Sequence, residues 1–149
     1  LDYYTIRTLS VIRFRSLHIR LSLALLEEGD TVRAVEVLDR CMELAPNDVL
    51  PYDRFVAGLT FPDGKGNTLH HEGLIEAYYM CGETQKANTI LEEYNDILTE
   101  RMTYFQSLNQ RLMENIQQDW YEVMAQLEEL QVLLRQYGGS QGSLLDLNM

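Results

Sequence analysis

The chain has 149 residues, the length of one ordinary domain and enough to bury one sizeable core. An apolar share of 46% excludes a disordered polymer, and 12 Lys+Arg against 23 Asp+Glu leave a net charge of −11 that repels nucleic-acid phosphates and anionic lipid. No run reaches the ~18 consecutive apolar residues of a membrane span, and the first residues lack the order of a signal peptide, so direct membrane insertion by this chain is not expected. The start at Leu1 rather than Met points to a piece of a longer polypeptide.

Apolar residues recur at helical spacing almost throughout, and no sustained period of two marks a long strand. Ile6, Leu9, Ile12, Leu17, Leu21 and Leu25 form the expected core stripe of a first helix. Arg7, Arg13, Arg15 and Arg20 oppose only Asp2 through residue 20. They are either the wet face of that helix or a basic surface that docks on an acidic neighbour.

A shift of 53 residues superposes Leu21–Leu38 on Leu74–Leu91, pairing Gly29 with Gly82, Asp30 with Glu83, Thr31 with Thr84, Ala34 with Ala87 and Leu38 with Leu91. Each copy reads as helix, turn, helix. Glycine at 29 and 82 suits the left-handed residue that ends a helix. Asp30 and Glu83 bring acceptors and negative charge to the start of the next helix, and Ala34 and Ala87 allow close helix approach. Pro46 then stops the first copy. The pattern resembles the tetratricopeptide repeat, with Leu25, Gly29, Ala34, Leu38, Cys41 and Pro46 in the first copy and Tyr78, Gly82, Ala87, Leu91 and Tyr94 in the second. The expected architecture is all-α: helical hairpins over about residues 9–46 and 69–99, a long central loop and a long C-terminal capping helix. A regular array repeats every ~34 residues, so Val49–Gly73 is an insertion. Within it, Leu59–Phe61 and Thr68–His70 flank Asp-Gly and Gly-Asn steps that suit a hairpin turn, which makes it a protruding contact loop or a mobile one.

Ser107 to Gln110 fits a capping box, predicting a terminal helix over about 108–137. Met113, Ile116, Trp120, Val123, Leu127, Leu130, Leu134 and Tyr137 alternate spacings of three and four, an apolar seam that either caps the repeats or pairs with another protomer. Residues 138–149 read as a flexible tail.

Little in the chain specifies a reaction. His70, His71 and Glu72 are the only gathering of ligand types, and neighbouring histidines on a helix diverge by ~100°, so no metal is expected. No cofactor motif and no nucleophile motif is present, Cys41 and Cys81 read as half-buried thiols, and the paired glutamates are those of solvated helix faces. An enzyme in its own right remains a rival only if a polar pocket closes on a small ligand. The candidate contact residues are Tyr78 and Tyr79, one expected in the core and one in a groove, Arg13 and Arg20 on the first helix, and Phe61, Lys65 and His70 in the insertion.

The segments Leu1–Thr8, Ala34–Glu43, Pro51–Phe55, Glu76–Glu83 and Tyr104–Leu108, in this order, resemble the C-terminal region of a family of large polytopic bacterial inner-membrane proteins. The family's membrane part is similar to protein O-mannosyltransferases. The resemblance covers roughly residues 1–137, and Ala57–Gly73 departs from it. It implies a non-catalytic domain on the extracytoplasmic (periplasmic) side of the membrane, contacting a protein or peptide partner or the membrane part of the same polypeptide. The family's catalytic acid lies in that membrane part, so no catalytic residue falls on these positions. A homodimer through the terminal seam and a free-standing helical-repeat adaptor are the alternatives.

Overall fold

A computed structural model of the chain describes residues 3–138, with the side chains described from residue 13 onward. The described residues are mainly helical: seven helices and one two-stranded antiparallel sheet. In order these are α1 (Tyr3–Glu27), α2 (Thr31–Leu44), α3 (Arg54–Ala57), β1 (Leu59–Pro62), β2 (Thr68–His71), α4 (Leu74–Met80), α5 (Thr84–Ser107), α6 (Gln110–Asn115) and α7 (Gln117–Tyr137). The chain divides into two compact units between Ala87 and Asn88. Of the predicted tail, Gly138 caps α7 by donating its amide to Leu134, and residues 139–149 lie outside the described residues.

In the first unit, α1 and α2 pack as a helical hairpin. Gly29 has φ +84°; its amide reaches the carbonyl of Leu26, while the amide of Asp30 reaches that of Leu25. These are the two bonds of a Schellman turn. Gly82 repeats the geometry, with φ +84° and bonds from Gly82 to Tyr79 and from Glu83 to Tyr78. The shift of 53 residues therefore superposes turns as well as letters. Ala34, Leu38, Cys41 and their counterparts Ala87, Leu91 and Tyr94 are all fully buried. The first helices of the two copies differ, however: α4 is 7 residues long against 25 for α1. Residues 69–71 belong to β2, so α4, the first helix of the second copy, begins at Leu74 rather than near 69.

The buried face of α1, among its described side chains, is Arg15, Ile19 and Ser22. Of the expected stripe, Leu17 is 59% and Leu21 52% exposed and Leu25 is half-buried, while the side chains of Ile6, Leu9 and Ile12 lie outside those described. Two polar residues occupy the core face because each finds acceptors there. Ser22 donates to the carbonyl of Ala34 across the α1–α2 contact at 2.9 Å. Arg15 donates to three carbonyls beyond α2: Ala45 at 3.2 Å, Pro51 at 3.0 Å and Leu50. Its guanidinium also lies 3.5 Å from Asp53 and over the ring of Tyr52. Of the four arginines first read as a wet face or a docking surface, Arg15 is thus a core residue, and the acidic neighbour it docks on is in this chain.

Cys41 and Cys81 are both buried free thiols. Burial pushes the Cys41 thiol up to about 11, against a smaller lowering by Arg15, and burial raises Cys81 as well. Reaction requires thiolate. Ellman's reagent at pH 8 is therefore expected to leave both thiols unlabelled in the native protein and to label both in denaturant. Rapid native labelling of Cys41 would contradict this burial.

In the second unit, α5 and α7 run antiparallel, since Tyr94 meets Gln126 and Phe105 meets Trp120. Ile90, Leu91, Tyr94 and Leu98 on α5 are buried, as are Val123, Leu127, Leu130, Leu133 and Leu134 on α7. Much of the terminal seam is therefore buried by this chain itself. The terminal helix is broken at Ile116, and its start is capped by Asn109, whose side chain accepts from the amide of Leu112. Ser107, the predicted cap, instead ends α5 with its hydroxyl donating to Tyr104. The seam spans the break unnoticed because Met113, Ile116 and Trp120 stay half-buried on both sides of it.

Candidate functional site

The insertion folds as predicted into a hairpin, extended by one residue on each strand: Leu59 pairs with His71, Thr60 with His70, Phe61 with Leu69 and Pro62 with Thr68. Its tip is tied by Asp63, whose carboxylate accepts from the amides of Lys65 at 2.7 Å and Asn67 at 3.0 Å and from the Asn67 side chain at 3.0 Å. These donors hold the Asp63 carboxyl below its ordinary 3.8. A depressed pKa means the tie is complete above 3.8 and is lost as pH falls through the folded-state value. The amide resonances of Lys65 and Asn67 are expected to titrate together with a midpoint below 3.8. Asp63→Ala should abolish that titration, and an unchanged profile in the variant would remove Asp63 from this role.

At its foot the hairpin closes by backbone contact. Gly58 has φ +99°, and a Cβ added to Gly73 would lie 2.4 Å from the amide nitrogen of Gly58. This approach sets the strands beside α3 and α1.

Alternation along the strands then sends Thr60 and His70 to one face and Leu59, Phe61 and His71 to the other. On the first face His70 meets Thr60 at 2.9 Å and the buried carboxylate of Glu76 at 2.6 Å. On the second face His71 stacks on Phe61, with ring centroids 5.4 Å apart. The two histidines are exposed strand residues on opposite faces and not at a helix start, and among the described residues no three His, Cys, Asp or Glu are grouped to hold a metal.

The second face closes a groove of about 240 Å³ against α1 and α3. Ile19 is buried and Leu23, Phe55 and Leu59 half-buried, so they form its floor; Arg20, Phe61, His71 and Glu72 are exposed at its rim. This volume falls below the ~300–1,000 Å³ of typical small-molecule sites. It suits one bulky side chain better than a cofactor.

Of the predicted contact residues, Arg20 and Phe61 come together in this groove. Arg13 is exposed on α1 two turns before Arg20, hence on nearly the same side. Lys65 is exposed at the hairpin tip and His70 faces away from the groove. Tyr78 and Tyr79 are both buried, at 2% and 6% exposure, so the expected split between core and groove does not occur. The Tyr78 hydroxyl donates to Asp39 at 2.9 Å, and Asp39 in turn pairs with Lys86 at 2.8 Å; burial, then the Asp39 carboxylate, raises the phenol far above 10. Such a tyrosine is an internal strut.

Sequence reasoning did not single out Ile19, Phe55, Leu59 or His71 as contact residues. Alternation along the first strand points to Leu59 beside Phe61, but His71 joins them only through the register, and Ile19 and Phe55 only once the face of α1 turned toward the insertion is known. Among the described residues no helix is long and apolar enough to cross a membrane. In comparisons with known proteins, the chain matches no family model, no curated protein and no solved structure.

Proposed function

We propose that this chain is a non-catalytic protein-interaction domain built from tetratricopeptide-like helical hairpins, and that the groove between α1 and the inserted hairpin is its contact surface. The observation that carries the reading is the groove itself: an apolar floor, an exposed aromatic and an arginine at the rim, sized for an anchoring side chain. The matching turns at Gly29 and Gly82 support the repeat-like description. The five segments that resemble the polytopic inner-membrane family support a further step. The domain is the extracytoplasmic C-terminal part of a protein O-mannosyltransferase-like membrane protein, accessory to a membrane-embedded reaction. Self-association through the terminal seam is the weaker reading, because Val123, Leu127, Leu130 and Leu134 are buried.

Two measurements test this. Photo-crosslinking in source cells, with benzoylphenylalanine in place of Phe61 or, as control, of the exposed Tyr121, is expected to give a protein adduct from position 61 only. Equal adducts or none would defeat the groove as contact surface. An antibody to the domain should detect a band far larger than this chain in the membrane fraction; a free band of the chain's own size in the soluble fraction would defeat the membrane assignment.

A further inference from the structure

We propose that a second copy of this chain docks antiparallel on the outer face of α1, through Leu17 and Leu21. The helix carries apolar residues on two sides. α2, α3 and α4 pack against one side, where Ile19 is buried. Leu17 and Leu21 stand two positions before and after Ile19, hence about 160° around the helix from it. They are 59% and 52% exposed. Exposed Ala24 and half-buried Leu25 continue the stripe three and four positions beyond Leu21. A helix that is apolar on two sides is one built to be covered on both. The groove is a different surface: its floor residues Ile19 and Leu23 each lie about 160° from Leu21, so pairing on the outer face leaves that floor open.

The occupant is argued from charge. Arg13 and Arg20 precede Leu21, and Glu27 and Glu28 follow it. All four are exposed, and none forms an ion pair among the described residues. Arg13 lies four positions before Leu17 and Glu28 seven after Leu21, so both stand in line with the leucines. The amide of Glu28 still bonds to the carbonyl of Ala24, which keeps it in helical register. Arg20 and Glu27 are each one position earlier, about 100° to the side of that line. A parallel copy would set arginine on arginine and glutamate on glutamate. An antiparallel copy centred near Leu21 sets Arg13 of each chain beside Glu28 of the other, and Leu17 of each against Ala24 and Leu25. The surface is therefore self-complementary, as a two-fold dimer requires, and each contact is made twice. One helix face is smaller than the ~1,200–2,000 Å² of stable complexes, so the dimer is expected to dissociate on dilution.

Sedimentation velocity of the whole chain at physiological salt, over a wide range of concentrations, tests this. A reversible dimer is expected. Leu17→Glu combined with Leu21→Glu should leave a monomer at every concentration with an unchanged thermal melt, since both side chains are exposed. Arg13→Glu should weaken the dimer about tenfold or more, equivalent to about 1.4 kcal/mol. Adding Glu28→Arg to that variant should restore it. Phe61→Ala, in the groove, should leave dimerisation as it was. A monomer throughout overturns the inference, and so does a dimer that the two leucine substitutions leave intact. A dimer that responds to the leucine substitutions but not to Arg13→Glu, or that the charge exchange fails to restore, overturns the antiparallel pairing.

Discussion

Arg15→Leu is expected to destabilise the first unit by about 3–5 kcal/mol, the scale for stripping one partner from a buried charged cluster. That is a large share of the ~5–15 kcal/mol that holds a domain folded. The guanidinium is fully buried and satisfies the carbonyls of Ala45, Leu50 and Pro51, so leucine leaves three acceptors without their donor. It also leaves Asp53 without its cation. Burial already raises the Asp53 carboxyl above 3.8, and Arg15 opposes that rise. In the variant the opposition is gone and the folded-state pKa climbs further. For an acid whose folded pKa is raised, ionisation works against folding, so its penalty is absent below 3.8 and grows as pH passes through the folded value. Urea denaturation should therefore show a larger loss at pH 7 than near pH 4. Arg15→Leu combined with Asp53→Asn should recover part of the loss at pH 7. A loss below about 1 kcal/mol at neutral pH, or one independent of pH, would show that Arg15 does not organise this region.

Gly73→Ala is the second substitution with a large expected effect, and its mechanism is steric. The new Cβ would sit 2.4 Å from the Gly58 nitrogen, 2.6 Å from the Ala57 carbonyl carbon and 2.6 Å from the Val56 oxygen. All three are backbone atoms, so no flexible side chain can move aside. Overpacking of this kind costs about 1–3 kcal/mol, and here the strain falls on the joint that seats the hairpin. Hydrogen exchange should rise through residues 59–71 while the α1–α2 hairpin keeps its protection, and binding of any groove peptide should weaken with it. Gly64→Ala makes the comparison. Nothing lies within 4 Å of its added Cβ, but φ is +74°, so only the left-handed penalty of about 1–2 kcal/mol applies, confined to the tip. If Gly73→Ala speeds exchange through residues 59–71 no more than Gly64→Ala does, the close approach of Gly58 and Gly73 is not what anchors the insertion.

The mainly helical character, the two glycine turns, the Asp30 cap and the hairpin were legible in the sequence. All four rest on local chemistry: apolar periodicity, the conformational freedom of Gly29 and Gly82, a short acceptor before a helix, and glycines beside Asp63 and Asn67. Their information lies within a few residues of where it acts. The misreadings share the opposite property. Arg15 read as a surface residue and Ser22 was not singled out, because a polar side chain is buried only when acceptors wait for it. Those acceptors, at Ala34, Ala45, Leu50 and Pro51, come from 12 to 36 positions away. Leu17 and Leu21 read as core because nothing in α1 alone tells one apolar stripe from another set beside it.

The same distinction governs the candidate site. Spacing and turn residues pointed to a hairpin in the insertion, but the register that pairs Leu59 with His71, and so puts Phe61 on one face and His70 on the other, was decided by the structure. Only the tertiary structure decided that the Phe61 face meets Ile19 and Arg20 of α1, and that Tyr78 and Tyr79 both turn inward. Which surfaces meet depends on where Arg15 anchors the chain after α2 and on how closely Gly58 and Gly73 approach. These are contacts between residues far apart in sequence, and no local pattern encodes them.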